Sequence, residues 1–566
     1  MKSDDSVPRM KSTVTKSHIP GRIAPGAIPL DRRRFIRNAG LFAAGSALGG
    51  SMLGCGSSEL YIPCLGPAAA PTPIPGMTYI RASQIGCALN CNLENGRHKL
   101  TGGAATDDAP RINAAMAAAS ASNPITLIMD GSALISGLFL PAGGHWAIAG
   151  LGCGTGFFIK SGINNDGIHN GGPDAALPTD PGPPAPPRGS SVSLSNFTLN
   201  GNQGNGHNGD STSGVTLGKT LTGPWYFGIN LMNLDNITIE NVVVVNTPSY
   251  HFRLSNVGNV SASGCVMRSN GLSTDGLHFD GPANDIHISN CNFTTGDDAI
   301  ALNCPEGYSG NISRVTVSDC VFNSTTVMRM ETVAYGGGPL FNIDTVTVSN
   351  CTGTLQNSGF LIGTDGVSSP NSVTDVTISD CKLTAPTMID IAANFGNVAF
   401  NNVTLIPLNF QQSPGFAFIR TSPLYKGMTY AGTNLSLNNC AISNQEDLPV
   451  AALILESGSS IANFSFNGFT VQNGAGTSFA SAPELLKILS GSIGQLILNS
   501  LDSEHIGAPS SGSGFSSIGS VSGAGVLATA WKFPDVVMAN NVPYISLNSG
   551  IPSIKIDGVV QAYAPS

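Results

Sequence analysis

Three carboxylates between Leu272 and Asn303 have the residue type and spacing for proton-transfer chemistry: Asp275 alone, then the adjacent pair Asp297 and Asp298. Each group precedes a short alternating segment, Gly276-Leu277-His278-Phe279 after Asp275 and Ala299-Ile300-Ala301-Leu302 after Asp298. Aligning Leu277 with Ile300 and Phe279 with Leu302 puts His278 beside Ala301 and Asp275 beside Asp298. Two strands in that register turn their apolar residues to one face and gather the acids at the mouth of the other. At ~4.8 Å between strands, the three carboxylates share a patch about one sugar ring wide. Glycoside hydrolysis needs a protonated acid at the leaving oxygen and a carboxylate that serves the water. Crowded carboxylates raise one another's pKa values, so one stays protonated while another is ionised. An isolated Asp-Asp pair more often marks a turn or a helix start. The repeat around this pair favours the chemical reading.

The repeat is Asn236-Ile-Thr-Ile-Glu-Asn-Val242, then segments of the same pattern ending at Cys265, Cys291, Cys320, Cys351, Cys381, Val403, Cys440 and Phe469. The end residues are 23, 26, 29, 31, 30, 22, 37 and 29 positions apart, with weaker copies at Ser191–Phe197 and Gln495–Leu501. A unit of that length, made of short alternating strands without a helical half, is one turn of a parallel β-helix, here of about ten or more coils. The cysteines share one slot with Val242, Val403 and Phe469. The slot therefore asks for an apolar group, and a buried ladder is expected rather than a metal site or disulfides. Cys64, Cys87, Cys91 and Cys153 lie outside the repeat, and in an exported protein some of these could pair.

Several segments frame these coils. Residues 1–54 are an export signal: Arg32-Arg33-Arg34-Phe35-Ile36-Arg37 resembles a twin-arginine motif, and the apolar run that follows is too short for a membrane span. The run ends in Met52-Leu53-Gly54-Cys55, which resembles a lipoprotein box. Lipidation at Cys55 is one reading and simple cleavage nearby is the other. Residues 55–94 read as a linker, 95–505 as the β-helix with its groove, and 506–566 as a C-terminal cap or tail. Asp107 or Asp108 can cap an Ala-rich helix with Pro110 in its first turn, closing the first coil. Residues 163–190 and 200–224 read as surface loops and candidate groove rims. Trp225 and Tyr226 are either sugar platforms or core residues.

The chain has 26 Lys+Arg and 35 Asp+Glu, of which residues 1–54 hold nine and three. The remainder has 17 bases against 32 acids, a formal −15. That argues against nucleic acid as a partner, and more weakly against polyanionic substrates. The expected partner is a poly- or oligosaccharide, with no cofactor and no metal. The protein is expected to be a monomer in the periplasm, at the cell surface or outside the cell, attached to a membrane only through a lipid anchor.

Thr247-Pro-Ser-Tyr-His-Phe252, Ser273-Thr-Asp-Gly276 and Gly296-Asp-Asp-Ala-Ile-Ala301 resemble the polygalacturonase-type, family-28 glycoside hydrolases of the pectate-lyase superfamily. The resemblance covers roughly residues 95–500. It implies an all-β, right-handed parallel β-helix with an N-terminal capping helix, and hydrolysis with inversion. By position it makes Asp297 the general acid, with Asp275 and Asp298 holding and activating the water. The residues set beside them for substrate binding are His278, Arg329, Arg253 and Tyr250, with Arg329 stacked outward on Arg253, His278 and Ala301. Two departures stand out. Pro305-Glu-Gly-Tyr-Ser-Gly310 occupies the place of the family's Gly-His-Gly turn, and Arg329-Met330-Glu331 has Glu331 where the family carries lysine. These changes point from polygalacturonate toward a neutral or weakly acidic α-galactoside-like glycan. Two other functions compete: a polysaccharide lyase holding Ca²⁺ on Asp275, Asp297 and Asp298, and a non-catalytic carbohydrate-binding protein.

Overall fold

The coils turn at fixed places because the repeat supplies residues that tolerate left-handed backbone. In a computed structural model, the first residue of successive repeats has positive φ: Asn236, Asn259, Asp285, Arg314, Thr345 and Asp375. So does the residue before the end slot: Asn241, Gly264, Asn290, Asp319, Asn350 and Asp380. Asn, Asp and Gly reach this region at low cost, which explains their abundance at the corners. Arg314 is an unusual occupant; its guanidinium is held by both carboxylate oxygens of Asp285, at 2.6 and 2.8 Å.

The structure describes residues 68–163, 165–171, 184–203, 226–269, 271, 273–332, 341–363, 372–409, 416–421, 429–444, 448, 450–456, 458–473, 484–488 and 491–499, and strands at 518–522, 545–548, 551–556 and 559–562. The export signal and the lipidation candidate Cys55 lie outside these residues, as do Cys64 and Trp225. Among the described residues the chain is almost all β. Parallel strands stack coil on coil, with a narrower 12-stranded sheet running beside a larger one. This is the right-handed parallel β-helix expected from the repeats and the resemblance. The order of pairing is direct: Ile237 sits on Val260, Val260 on Ile286, Ile286 on Val315, Val315 on Val346 and Val346 on Val376. All six are buried, and burying each such side chain contributes ~1.5–3 kcal/mol.

The cysteine ladder lies inside. Cys265, Cys291, Cys320, Cys351, Cys381 and Cys440 are buried free thiols, and several donate to the carbonyl two residues earlier, as Cys291 does to Ser289 at 3.3 Å. Burial pushes the Cys440 thiol up to about 11. Cys87 and Cys91 are also buried free thiols, whereas Cys153 is disulfide-bonded.

The capping helix spans Ala109–Met116 and packs Ala109, Ile112 and Met116 into the core of the first coil. The two acids before it divide their work. Asp107 Oδ1 accepts from the Ala109 and Ser136 amides, at 3.1 and 3.2 Å. Asp108 occupies the N-cap position without capping the helix; its carboxylate accepts from the Ala88 and Leu89 amides, at 2.7 and 2.9 Å. It therefore ties the N-terminal segment to the cap. The strand Thr78–Arg81, inside the stretch read as linker, pairs with Ile125–Met129. Ile168–Asn170, inside a stretch read as loop, is likewise a strand, paired with Leu138–Leu140 and with the start of Ile229–Glu240. That three-residue strand is flanked by Gly and Pro, which hid it.

Candidate active site

Four strands position the acidic patch: Phe252–Ser263, Leu277–Ser289, Asp298–Asn303 and Thr326–Glu331. Leu277 pairs with Ile300, His278 with Ala301 and Phe279 with Leu302, the register read from the sequence. Arg253 pairs with His278 and Ala301 with Arg329, so these four form one column on the outer face. Two glycines let the acids approach. A Cβ on Gly276 would lie 2.4 Å from the Ala299 carbonyl oxygen, and one on Gly296 would lie 2.0 Å from that of Gly271. The Gly276 amide donates to the Asp298 carbonyl at 3.0 Å, locking the two carboxylate turns together.

The result is a convergence of Asp275, Asp297 and Asp298, with one carboxylate oxygen from each within 4.8 Å of the others. Asp275 and Asp298 are buried rather than standing at an open mouth, while Asp297 is partly exposed. Burial, and then the charge of Asp275, raise Asp298 to about 6. Thr326 Oγ1 opposes this by donating to Asp298 Oδ1 at 2.5 Å. Asp275 Oδ2 lies 2.7 Å from His278 Nδ1, and its Oδ1 is buried with no hydrogen-bond partner among the described residues.

His278 is held as a cation. Its Nε2 lies 3.0 Å from Asp280 Oδ1 and 3.1 Å from Glu306 Oε2, while its Nδ1 faces Asp275. Burial works against the charge, but hydrogen bonds to Asp275, Asp280 and Glu306 outweigh it and hold the pKa well above the usual histidine range. Tyr250 stacks on this ring at 3.9 Å between centroids and 7° between planes, and Phe227 stacks behind it at 5.2 Å. Tyr250, expected to contact substrate, is thus a buried layer beneath His278. His251, next along, is neutral: burial lowers it to about 4. Its Nδ1 contacts the Asp275 carbonyl at 2.7 Å, and its Nε2 contacts Ser269 Oγ at 2.8 Å. It holds the Asp275 turn from below.

Both arginines of the column are engaged. Arg253 pairs with Asp280 at 2.5 Å and Arg329 with Glu331 at 2.5 Å, and both acids are fully buried. Asp280 and Glu306 escaped the sequence reading. Asp280 follows His278 by two and so shares its face, a period-two signal present in the sequence. Glu306 lies in the turn that replaces Gly-His-Gly and has no periodic signal.

Two groups could hold a cation by donor type. Asp275, Asp297 and Asp298 form an all-oxygen set at a separation that suits a hard divalent ion. His278, Asp280 and Glu306 also cluster, but both imidazole nitrogens face carboxylates, which suits an imidazolium rather than a ligand. No helix among the described residues is long and apolar enough to cross a membrane.

Comparison with known proteins finds the same resemblance. Residues 189–405, which carry all three aspartates, match the family model for glycosyl hydrolases family 28. A polygalacturonase of Medicago sativa is 25% identical over 182 residues, 29% of this chain and 36% of that protein, so the chain spans only about a third of that relative's length. Among solved structures, the family 28 exopolygalacturonase of Yersinia enterocolitica aligns with a TM-score of 0.49 at 12% identity, covering 73% of this chain and 78% of that one. A polygalacturonase from Erwinia carotovora ssp. carotovora aligns at 0.41 and 15% identity, covering 69% and 94%. The matched segment is thus similar to family-28 glycosyl hydrolases and to part of a polygalacturonase.

Proposed function

We propose that this chain is an exported glycoside hydrolase that cleaves an α-linked glycan with inversion. The observation that carries the reading is the convergence of Asp275, Asp297 and Asp298 within 4.8 Å. Asp297, the partly exposed member, is the general acid that reaches the glycosidic oxygen. Asp275 and Asp298 hold and activate the water. The unpartnered Asp275 Oδ1 offers that water an acceptor, and Asp298, titrating at about 6, is a suitable base near neutral pH. Simple two-carboxylate inverting sites separate acid and base by about 6.5–9.5 Å. The shorter spacing here suits a water cradled by two acids and flanked by the third. Inversion itself rests on the resemblance, and the product anomer tests it.

The substrate is a neutral or weakly acidic α-galactoside-like glycan. Arg253 and Arg329, the cations able to bind a uronate, are already paired with Asp280 and Glu331. Further carboxylates around His278 make the pocket acidic, so a carboxylate on the sugar would be repelled. Export rests on the Arg32-Arg33 motif. The deciding experiment is hydrolysis of a glycan panel by wild type and by Asp297→Asn. Turnover of a neutral α-linked glycan that is lost in the variant supports the reading. No turnover of any member, despite measurable binding, would favour the non-catalytic alternative.

A further inference from the structure

The column that carries Arg253 and His278 continues toward the N terminus. Arg253 pairs with Asn230, and Asn230 pairs with His169 of the strand Ile168–Asn170. Asp166 organises both. Its Oδ2 accepts from Asn230 Nδ2 at 2.8 Å and lies 3.2 Å from His169 Nδ1, while its Oδ1 accepts from the Phe227 amide at 2.8 Å. These bonds fix the remaining atoms. With its amide nitrogen on Asp166, Asn230 turns Oδ1 the other way. With Nδ1 beside Asp166, the His169 ring turns Nε2 the other way. Both atoms are buried and have no hydrogen-bond partner among the described residues, on side chains that are 0% and 6% exposed as residues. Leaving two such polar atoms unmatched is costly, and ligand hydroxyls recover that cost. Tyr226, half-buried, lies near Asp166, whose charge adds to burial in raising the pKa of its phenol.

We propose that His169, Asn230 and Asp166 form a distal glycan subsite that takes the hydroxyls of a neutral sugar. It deepens the glycosidase reading and rests on it for the position of bond cleavage. Two to three strand steps separate the subsite from His278, about 10–14 Å at ~4.8 Å per step, a reach beyond a disaccharide held at the aspartates. Asn230 Oδ1 can only accept, so it matches an O–H donor and repels the oxygen of a carboxylate, sulfate or phosphate, while a hydroxyl, donor and acceptor at once, can also meet His169 Nε2.

The test uses α-1,4-linked galacto-oligosaccharides of two to six units and the matching oligogalacturonides. Calorimetry on Asp297→Asn protein reads binding, and kcat/KM on otherwise wild-type protein reads turnover. The neutral series should gain affinity with length, and His169→Ala or Asn230→Ala should each cut that gain by about 3- to 10-fold, the worth of one neutral hydrogen bond. Disaccharide kcat/KM should be unchanged in both variants, which also reports intact folding. Should His169→Ala fail to fold, His169→Gln is measured in its place. A length gain that persists in the variants overturns the subsite, as does the absence of any length gain or any binding. A larger gain for the oligogalacturonides overturns its chemical class. Length-dependent binding without hydrolysis by wild type would overturn the glycosidase reading and leave the subsite standing.

Discussion

His278 Nδ1 lies 2.7 Å from Asp275 Oδ2, and the same ring meets Asp280 and Glu306 through Nε2. One buried imidazolium therefore compensates one member of the aspartate trio and two acids behind it. This organises the site's electrostatics. Asp275 is charge-compensated by His278, whereas Asp298 is bound by a neutral hydroxyl and feels Asp275 nearby. Burial and the nearby Asp275 charge thus raise the proton affinity of Asp298.

Asp297→Asn and Asp298→Asn should each lower kcat by about 10²–10⁴-fold, the usual worth of a general acid or base. Their stabilities should differ. Asp298 is buried and its carboxyl is raised from 3.8 to about 6. Between those values the folded protein binds more protons than the unfolded chain, so this group's ionisation destabilises the fold as pH rises through that window. Asp298→Asn should therefore raise Tm at pH 7, with a gain that fades toward pH 4. Asp297→Asn should leave Tm nearly unchanged. Thermal melts at the two pH values check this, and a lower Tm for Asp298→Asn at pH 7 would contradict it.

The strand register was legible because the repeat has a fixed slot. Once Leu277 was set on Ile300, the column of Arg253, His278, Ala301 and Arg329 followed from period-two geometry. The trio was legible for the same reason. What lay out of reach were contacts set by tertiary approach. Nothing in the spacing says that Glu306 swings from a turn onto His278, or that Tyr250 slides beneath that ring. Asp108 shows the same limit. Its position is that of a helix cap, but its carboxylate serves Ala88 and Leu89, some twenty residues earlier in sequence. The burial of Asp275 and Asp298 also went unread, because alternation gives the side of a strand and not the depth of the groove.

His278→Gln should be strongly destabilising as well as inactive. Removing the cation leaves Asp275, Asp280 and Glu306 buried around a neutral amide. Breaking a buried charge pair by deleting one partner costs about 3–5 kcal/mol. Urea unfolding at pH 7 measures the loss. A stability within about 1 kcal/mol of wild type would mean that the ring is not charged in the folded protein.

The pH profile of kcat/KM should have an acidic limb near 6, the value at which Asp298 ionises. A base works only when deprotonated, so activity should rise with pH through that limb. Thr326→Val tests the assignment without removing the acid. Thr326 Oγ1 donates to Asp298 and favours its anion, so its loss should move the limb upward by about one unit. An unmoved limb in Thr326→Val would assign the titration to another group.

Neutral α-linked galactosides should be cleaved faster than polygalacturonate. A uronate needs a free cation, and the arginines facing outward beside the aspartates are each tied to a buried acid, Arg253 to Asp280 and Arg329 to Glu331. Freeing either arginine for a substrate carboxylate would leave its present partner charged and uncompensated in a buried position, which is costly. A sugar hydroxyl makes no such demand and can share Asp275 Oδ1 or the partly exposed Asp297. Initial rates on both substrates, with the product anomer followed by NMR, decide two matters together. Fast cleavage of polygalacturonate would show that an arginine pair opens for the uronate. A first product with the substrate's own anomeric configuration would show that a carboxylate, not the cradled water, attacks the sugar, because inversion requires the water to enter opposite the leaving group.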